Sequence, residues 1–444
     1  AAIIMLAAIF YGSNYGGTIT TVLLNIPGEA ASAITAIDGV PMAQQGRAGA
    51  ALGIAAIGSF IGGTAATFAL ALAAPALAQA GLAMGPAERF ALMVLALALV
   101  AGLLGRRMIK GLLMALLGLL VGTVGLDPTL GVPRFTFGVV DLIDGINFVA
   151  VVMGLFGISE LLLNAESAVQ GLIAEKVGRV MPTRAEIKES RGAIARGTGI
   201  GMALGMIPGA TGVIASFLSY SVEASVSKTP KRFGHGAIEG VAGPETANNA
   251  FANANFIPLF ALGIPGTASM AILMGGMVQY GLTPGPFLFR DHPGVVWAVI
   301  ASMLVGNVLL LILNIPLISI WIQILRVRYS LLAPAIAVLT MVGSYSITNN
   351  VMSLWITTAA GVVGYLLRKL DMPLAPLVLT LVVGPILESN LRQALQISAG
   401  SAAILVSSPI SMILLAAAAA VVAISALRAF MAAPSRVPSA SDED

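Results

Sequence analysis

Ile-Pro-Gly occurs three times in this chain, at Ile26-Pro27-Gly28, Ile207-Pro208-Gly209 and Ile264-Pro265-Gly266, each time inside an apolar, Gly/Ala-rich stretch. Proline removes a backbone N–H and collides with the preceding turn, and glycine accepts the dihedral angles of a sharp reversal, so each triplet is expected to open a helix. What an opened helix costs depends on its solvent. The chain is 58% hydrophobic and 10% charged, with a mean hydropathy of +0.96, whereas about a quarter of residues in soluble domains are charged. Its Ala, Leu, Ile, Val and Met residues run on for helix length rather than alternating, which predicts an all-α polytopic membrane protein and not an outer-membrane barrel. In hydrocarbon, each unpaired backbone group costs several kcal/mol unless it is buried in protein or lines a wet cavity. Three such breaks therefore predict broken helices that meet around a solute.

Composition excludes other classes. No cysteine is present, so disulfides, thiolate metal sites and cysteine nucleophiles are ruled out. The net charge of +3 reflects basic loops and gives no reason to expect nucleic acid. His235 and His292 fall in loops without metal-ligand spacing, and no Walker A, HExxH or GxSxG pattern occurs, so neither an enzyme nor a primary pump is expected. Fifty glycines and 23 prolines exceed what spanning requires. Small residues allow close helix approach, and prolines with glycines break helices.

A degenerate duplication is legible. After the first break, DGVPMAQQG leads into an apolar run from Ala48 to Leu77 holding Pro75. After the third, GGMVQYG leads into a run from Gly294 to Leu325 holding Pro316. We therefore expect two membrane repeats, 1–163 and 197–427, joined by a cytoplasmic loop, 164–196, and followed by a tail, 428–444. Pro208 and Pro265 are 57 residues apart, and the same spacing puts a partner for Pro27 upstream of Ala1. The first repeat is thus expected to be N-terminally truncated, with a fourth Pro-Gly break before residue 1. Further spans are expected at Phe90–Leu104, Ile109–Leu126, Ile146–Leu163, Leu331–Ile347, Val351–Leu367, Pro373–Leu387 and Ala402–Leu427.

Basic clusters at Arg106/Arg107/Lys110, in the 164–196 loop, at Lys228/Lys231/Arg232, Arg326/Arg328 and Arg368/Lys369 are expected to mark cytoplasmic ends. Thr183-Arg184-Ala185-Glu186 is a capping box that predicts a short surface helix. Residues 197–221 are bracketed by Arg196 and by Lys228 to Arg232, so a single crossing would place one basic loop outside. A re-entrant hairpin with Pro208-Gly209 at its tip avoids that.

The candidate substrate-binding residues cluster at the breaks: Thr18, Thr20, Asn25, Pro27 and Gly28 at the first; Pro208, Gly209 and Thr211 at the second; Asn248, Asn249, Asn253, Pro265, Gly266, Thr267 and Ser269 at the third. Ser13, Asn14, Thr21, Ser216 and Asn255 lie nearby. Asn248, Asn249, Asn253 and Asn255 share about half of a helix circumference, so one side is expected to face a cavity. Hydrogen-bonded glue between helices is the plainer role for such side chains. No Lys or Arg lies close to a tip. An anion would then be held by exposed N–H groups, helix N-terminal dipoles and hydroxyls, and opened carbonyls could take a small cation such as sodium. Glu29, Asp38 and Glu245 are expected to serve local structure.

Long stretches also resemble one family, the large membrane subunit of the tripartite tricarboxylate transporters. They are YGSNYGGTITTVLLNIPGEAASAITAIDGVPMAQQGRAGAALG from Tyr11, RGTGIGMALGMIPGATGVIASFLSYSVE from Arg196, and RFGHGAIEGVAGPETANNA from Arg232 continuing to IPLFALGIPGTAS at Ser269. The resemblance implies a multi-pass protein of the bacterial cytoplasmic membrane that takes up small di- or tricarboxylates. It further implies a small membrane subunit, a periplasmic solute-binding protein and coupling to sodium or protons, with no other cofactor. Around Asn253-Ala254-Asn255 the family more often has glycine-rich sequence. A passive channel and an intramembrane enzyme are the competing classes.

Overall fold

The structure, a computed structural model, describes residues 2–25, 28–103, 108–127, 131–166, 180–318 and 329–431. Pro27, Arg106/Arg107, loop residues 167–179, Arg326/Arg328 and the tail from 432 lie outside them. The first part comprises α1 (Ala2–Leu24), a 3-10 turn (Ala30–Ala33), α2 (Ala36–Gln44), α3 (Ala48–Leu82), α4 (Pro86–Leu103) and α5 (Met108–Gly122). A two-residue antiparallel ladder, Gly125–Leu126 with Pro133–Arg134, precedes α6 (Phe148–Glu166), which is π-helical over Met153–Ile158. Then come α7 (Arg184–Gly205), α8 (Gly212–Val226), α9 (Glu239–Ala254), α10 (Phe256–Leu262), α11 (Ala268–Gln279), α12 (Pro286–Asp291) and α13 (Pro293–Asn314). The chain continues through α14 (Tyr329–Thr348), α15 (Val351–Lys369), α16 (Leu374–Ile397) and α17 (Pro409–Met431). Seven of the described helices are long and apolar enough to cross a membrane. The protein is an all-α membrane protein.

The second Ile-Pro-Gly triplet falls between α7 and α8 and the third between α10 and α11, and Gly28, the described residue of the first, follows α1. Pro75, Pro244 and Pro385 sit inside α3, α9 and α16. Proline alone does not end these helices, and what distinguishes the triplets is the glycine that follows. Several expected limits shift. The run containing Pro75 stays helical to Leu82, whereas α13 ends at Asn314, before Pro316. α5 stops at Gly122, where the chain turns into the ladder, and α17 starts at Pro409 after a 3-10 turn at Ala402–Val406.

The Thr183 capping box is present, with Thr183 N–H donating to Glu186 Oε2 (2.8 Å) and Glu186 N–H to Thr183 Oγ1 (3.3 Å). The helix it opens is not short. It runs 22 residues to Gly205, because its polar first turns pass directly into a small-residue stripe that packs on α9.

α9 is the hub, with every residue from Gly240 to Ala254 buried. Gly197, Gly201 and Gly205 of α7 lie against Gly243, Ala247 and Ala254 in that order, so α7 runs parallel to α9. α8 runs the other way, placing Gly212 at Asn248 and Glu223 at Gly243, with Ser216 Oγ donating to the Pro244 carbonyl (3.2 Å). α7 and α8 are therefore an antiparallel hairpin tipped by Pro208-Gly209. Arg196 ties its two ends together, its Nε donating to Glu223 Oε1 at 2.7 Å. Glu223 is 2% exposed, so Arg196→Ala strands a buried carboxylate. That substitution should destabilise the protein by about 3 kcal/mol, read as a lower unfolding temperature in detergent, while Arg196→Lys should recover part of the loss.

The helices that flank the first and third breaks interlock with opposite sense. α3 runs parallel to α9–α10, with Gly58, Gly63 and Gly81 meeting Ala242, Asn253 and Ala261. α13 runs parallel to α1, with the Tyr11 hydroxyl donating to the Ser302 carbonyl (3.2 Å) and Gly12 facing Leu310. α1 is antiparallel to α9–α10: Thr18 meets Glu245, and the Phe10 and Phe256 rings pack edge to face 5.8 Å apart. The long helix after each break thus lies along the helix that precedes the other.

Candidate functional site

The second and third breaks touch. Gly209 N–H donates to the Gly266 carbonyl at 3.0 Å, an inter-break bond between two segments that left the helical ladder. Gly209 has φ +85°, and a Cβ there would sit 2.5 Å from Val100 Cα, so only glycine fits. Pro208 is half-buried, whereas Pro265 and Gly266 are buried, with Gly266 seated on the Asn255 amide. Thr211 caps α8, its Oγ1 accepting from Ile214 N–H (3.3 Å), and Thr267 caps α11, accepting from Met270 N–H (3.2 Å). Both helices begin beside the Gly209–Gly266 contact. Each cap serves one first-turn donor, and the N–H groups of Gly212, Val213, Ala268 and Ser269 have no place in an intrahelical ladder. Two positive dipole ends thus point to one locality, and Thr211 and Ser269 are exposed there. That combination can hold an anion without a basic side chain.

The first break joins them from the side. Ala31 packs on Gly212, and Glu29 Oε1 accepts from Asn248 Nδ2. Gly28 N–H donates to Thr21 Oγ1 (3.3 Å), and the Gly28 backbone lies on Gly17 closely enough to exclude a Cβ. Asn25 is exposed and left-handed (φ 54°), as a short polar side chain tolerates. Thr20 bonds its own helix through the Gly17 carbonyl (3.0 Å).

The asparagines do not share one open face. α9 is wrapped on all sides, so its polar residues part company: Asn248 turns to Glu29 and the tips, while Asn249 and Asn253 turn to α3. Asn249 Nδ2 donates to Ser59 Oγ (2.7 Å), which is interhelical glue. Asn253 and Asn307 flank Gly63, the latter from the middle of the mostly apolar α13. Thr18 is buried and donates to Glu245 Oε2 (2.6 Å).

The three carboxylates differ. Asp38 is an anchor: Oδ1 accepts from the N–H groups of Gly234, Gly236 and Ala237 at 2.8–2.9 Å, and Oδ2 from the Tyr220 hydroxyl (2.9 Å). Glu245 serves no cap on its own helix, and its second oxygen accepts from Thr35 Oγ1 (2.7 Å). Glu29 borders the tips. Glu29, Asn307 and Glu245 are thus contacts that helical spacing did not assign to the site, whereas Asn255, grouped with the other asparagines by that spacing, meets Gly266 of the third break.

The profile of the tripartite tricarboxylate transporter TctA family matches residues 1–379. The chain belongs to that family. It is a membrane subunit of the tripartite tricarboxylate transporter kind, and the matched region holds all three breaks and the α7–α8 hairpin. An uncharacterized 52.8 kDa protein in the TAR-I ttuC' 3' region of Agrobacterium vitis is similar, 47% identical over 427 residues that cover 96% of this chain and 85% of the relative. Another uncharacterized protein, in the TAR-II ttuC' 3' region of the same organism, is 49% identical over 215 residues, covering 48% of this chain and 89% of that protein. No solved structure matches.

Proposed function

We propose that this chain forms the path of a secondary active transporter that takes up small di- or tricarboxylates by cation symport across a bacterial cytoplasmic membrane. A periplasmic binding protein would deliver the substrate, and a small membrane subunit would complete the assembly. The observation that carries this reading is the meeting of two capped helix N-termini at the Gly209–Gly266 contact, which suits a carboxylate. The candidate substrate site comprises Gly28, Pro208, Gly209, Thr211, Asn248, Pro265, Gly266, Thr267 and Ser269, with Thr18, Thr20 and Asn25 of the first break alongside.

Depth supports it. Gly205 lies about 14 Å along the helix from Arg196, near half of a hydrocarbon core of about 30 Å, so a hairpin based at Arg196 and Glu223 would dip to mid-membrane and return. Arg47, Arg196 and Arg232 pair with Glu186, Glu223 and Glu189 at the base of the hairpin, and the positive-inside rule makes that end cytoplasmic. The opposite sense of the two halves fits inverted repeats, whose rocking would expose the tips alternately.

Counterflow in proteoliposomes tests the proposal, because a carrier exchanges labelled carboxylate against unlabelled and a passive channel does not. Asn248→Ala should lower uptake by about 10- to 100-fold, the worth of one hydrogen bond to a charged group, with far less loss of folded protein in detergent. Equal loss of both would make Asn248 structural, and absence of counterflow would reject the carrier.

A further inference from the structure

Glu245 is buried in the membrane hub at 1% exposure, with Thr18 and Thr35 hydroxyls on its two oxygens. Among the described residues, no lysine, arginine or histidine pairs with it. A bare carboxylate in such surroundings is costly, so its charge calls for a proton or a cation. Beside it, between α1, α3 and α13, is a cavity of about 10 Å³ whose polar lining is Tyr15, Thr18, Ser59 and Asn314. That volume suits one water-sized sphere. The Tyr15 hydroxyl has no partner among the described residues although Tyr15 is 4% exposed. Ser59 Oγ accepts from Asn249 (2.7 Å) and donates to the Glu245 carbonyl (3.3 Å), which leaves it a lone pair.

We infer that this cavity is a sodium site, with Tyr15, Thr18 and Ser59 hydroxyl oxygens as ligands and Glu245 behind Thr18 as the balancing charge. A hard cation takes oxygen ligands of this kind. A proton on Glu245 would need no void and would leave the Tyr15 hydroxyl idle. The inference rests on the transport reading for its purpose: Glu29 borders the proposed anion site, and Glu245 lies one turn of α9 from its partner Asn248. A sodium ion there would offset two carboxylates that otherwise repel the incoming anion, so each solute would raise the affinity for the other.

Thermal unfolding of the detergent-solubilised protein in sodium chloride against choline chloride, at equal ionic strength, reads the site without transport. The wild type should show a saturable rise of a few degrees with sodium. Tyr15→Phe, which keeps the packing, should raise the half-saturating sodium concentration about tenfold, as expected for one lost ligand, and Glu245→Gln should abolish the rise. Equal unfolding temperatures in the two salts would overturn the site, as would a sodium response unchanged in both variants. A sodium response lost in Glu245→Gln in a protein that shows no carboxylate counterflow would uphold the site and reject the transport reading.

Discussion

Gly209→Val should abolish carboxylate uptake, a loss of at least about 100-fold, while leaving most of the protein folded in detergent. Three effects coincide. Valine at φ +85° is a backbone outlier that costs about 1–3 kcal/mol, the new Cβ would collide with Val100 Cα, and the Gly209 N–H would be driven off the Gly266 carbonyl. Each moves the α8 N-terminus away from that of α11, so the damage is concentrated where the anion is proposed to bind. The hairpin body is untouched, since the glycine stripe of α7 and the Arg196–Glu223 pair lie below the tip. Gly46→Ala supplies the control. Gly46 also has positive φ (+76°) but nothing within 4 Å of a built Cβ, so that substitution should cost about 1 kcal/mol of strain and change uptake less than twofold.

Gly201→Leu and Gly199→Leu should behave oppositely although only Ile200 separates them. A Cβ on Gly201 would be driven into the Ala247 carbonyl and to 2.8 Å from Ala250 Cβ, and neither backbone nor hub can yield. Forcing α7 off α9 should cost at least about 3 kcal/mol, the upper end for overpacking, and folded protein after solubilisation should nearly vanish. Gly199 is exposed with nothing within 4 Å, and leucine exceeds glycine in helix propensity by somewhat under 1 kcal/mol. Gly199→Leu should therefore fold at least as well as wild type. Size-exclusion profiles of the two variants check this directly, and similar profiles would contradict the packing of α7 on α9.

What was legible in the sequence was local backbone chemistry. Pro-Gly pairs mark the breaks because nothing distant is needed to open a helix there, and Thr183 with Glu186 reads as a cap within four residues. The charge bracket around residues 197–221 anticipated the antiparallel hairpin, though not that Arg196 would pair with Glu223 inside it. Partners far apart along the chain were not legible. Thr18 and Glu245 are 227 positions apart, and the spacing of asparagines on α9 fixes their angles without saying that α1, α3, α7 and α8 surround them. Asn307 gave no signal in an apolar run, and the role of Glu245 depends on hydroxyls from two other elements. The helix opened by Thr183 outruns its expected short length because the glycine stripe that extends it gains its stability from α9, not from its own sequence.

The absence of native cysteine allows one decisive measurement, single-cysteine accessibility at Thr211→Cys and Ser269→Cys in membrane vesicles. If the breaks line a hydrated substrate site, a hydrophilic thiol reagent should modify both positions, and the transported carboxylate should slow that modification severalfold. Leu218→Cys, exposed on the side of α8 away from the tip, serves as the comparison, and its reaction should be the same whether or not the carboxylate is present. Failure of both tip positions to react, or reaction at rates the carboxylate leaves unchanged, would contradict a solute site where the Pro-Gly segments converge.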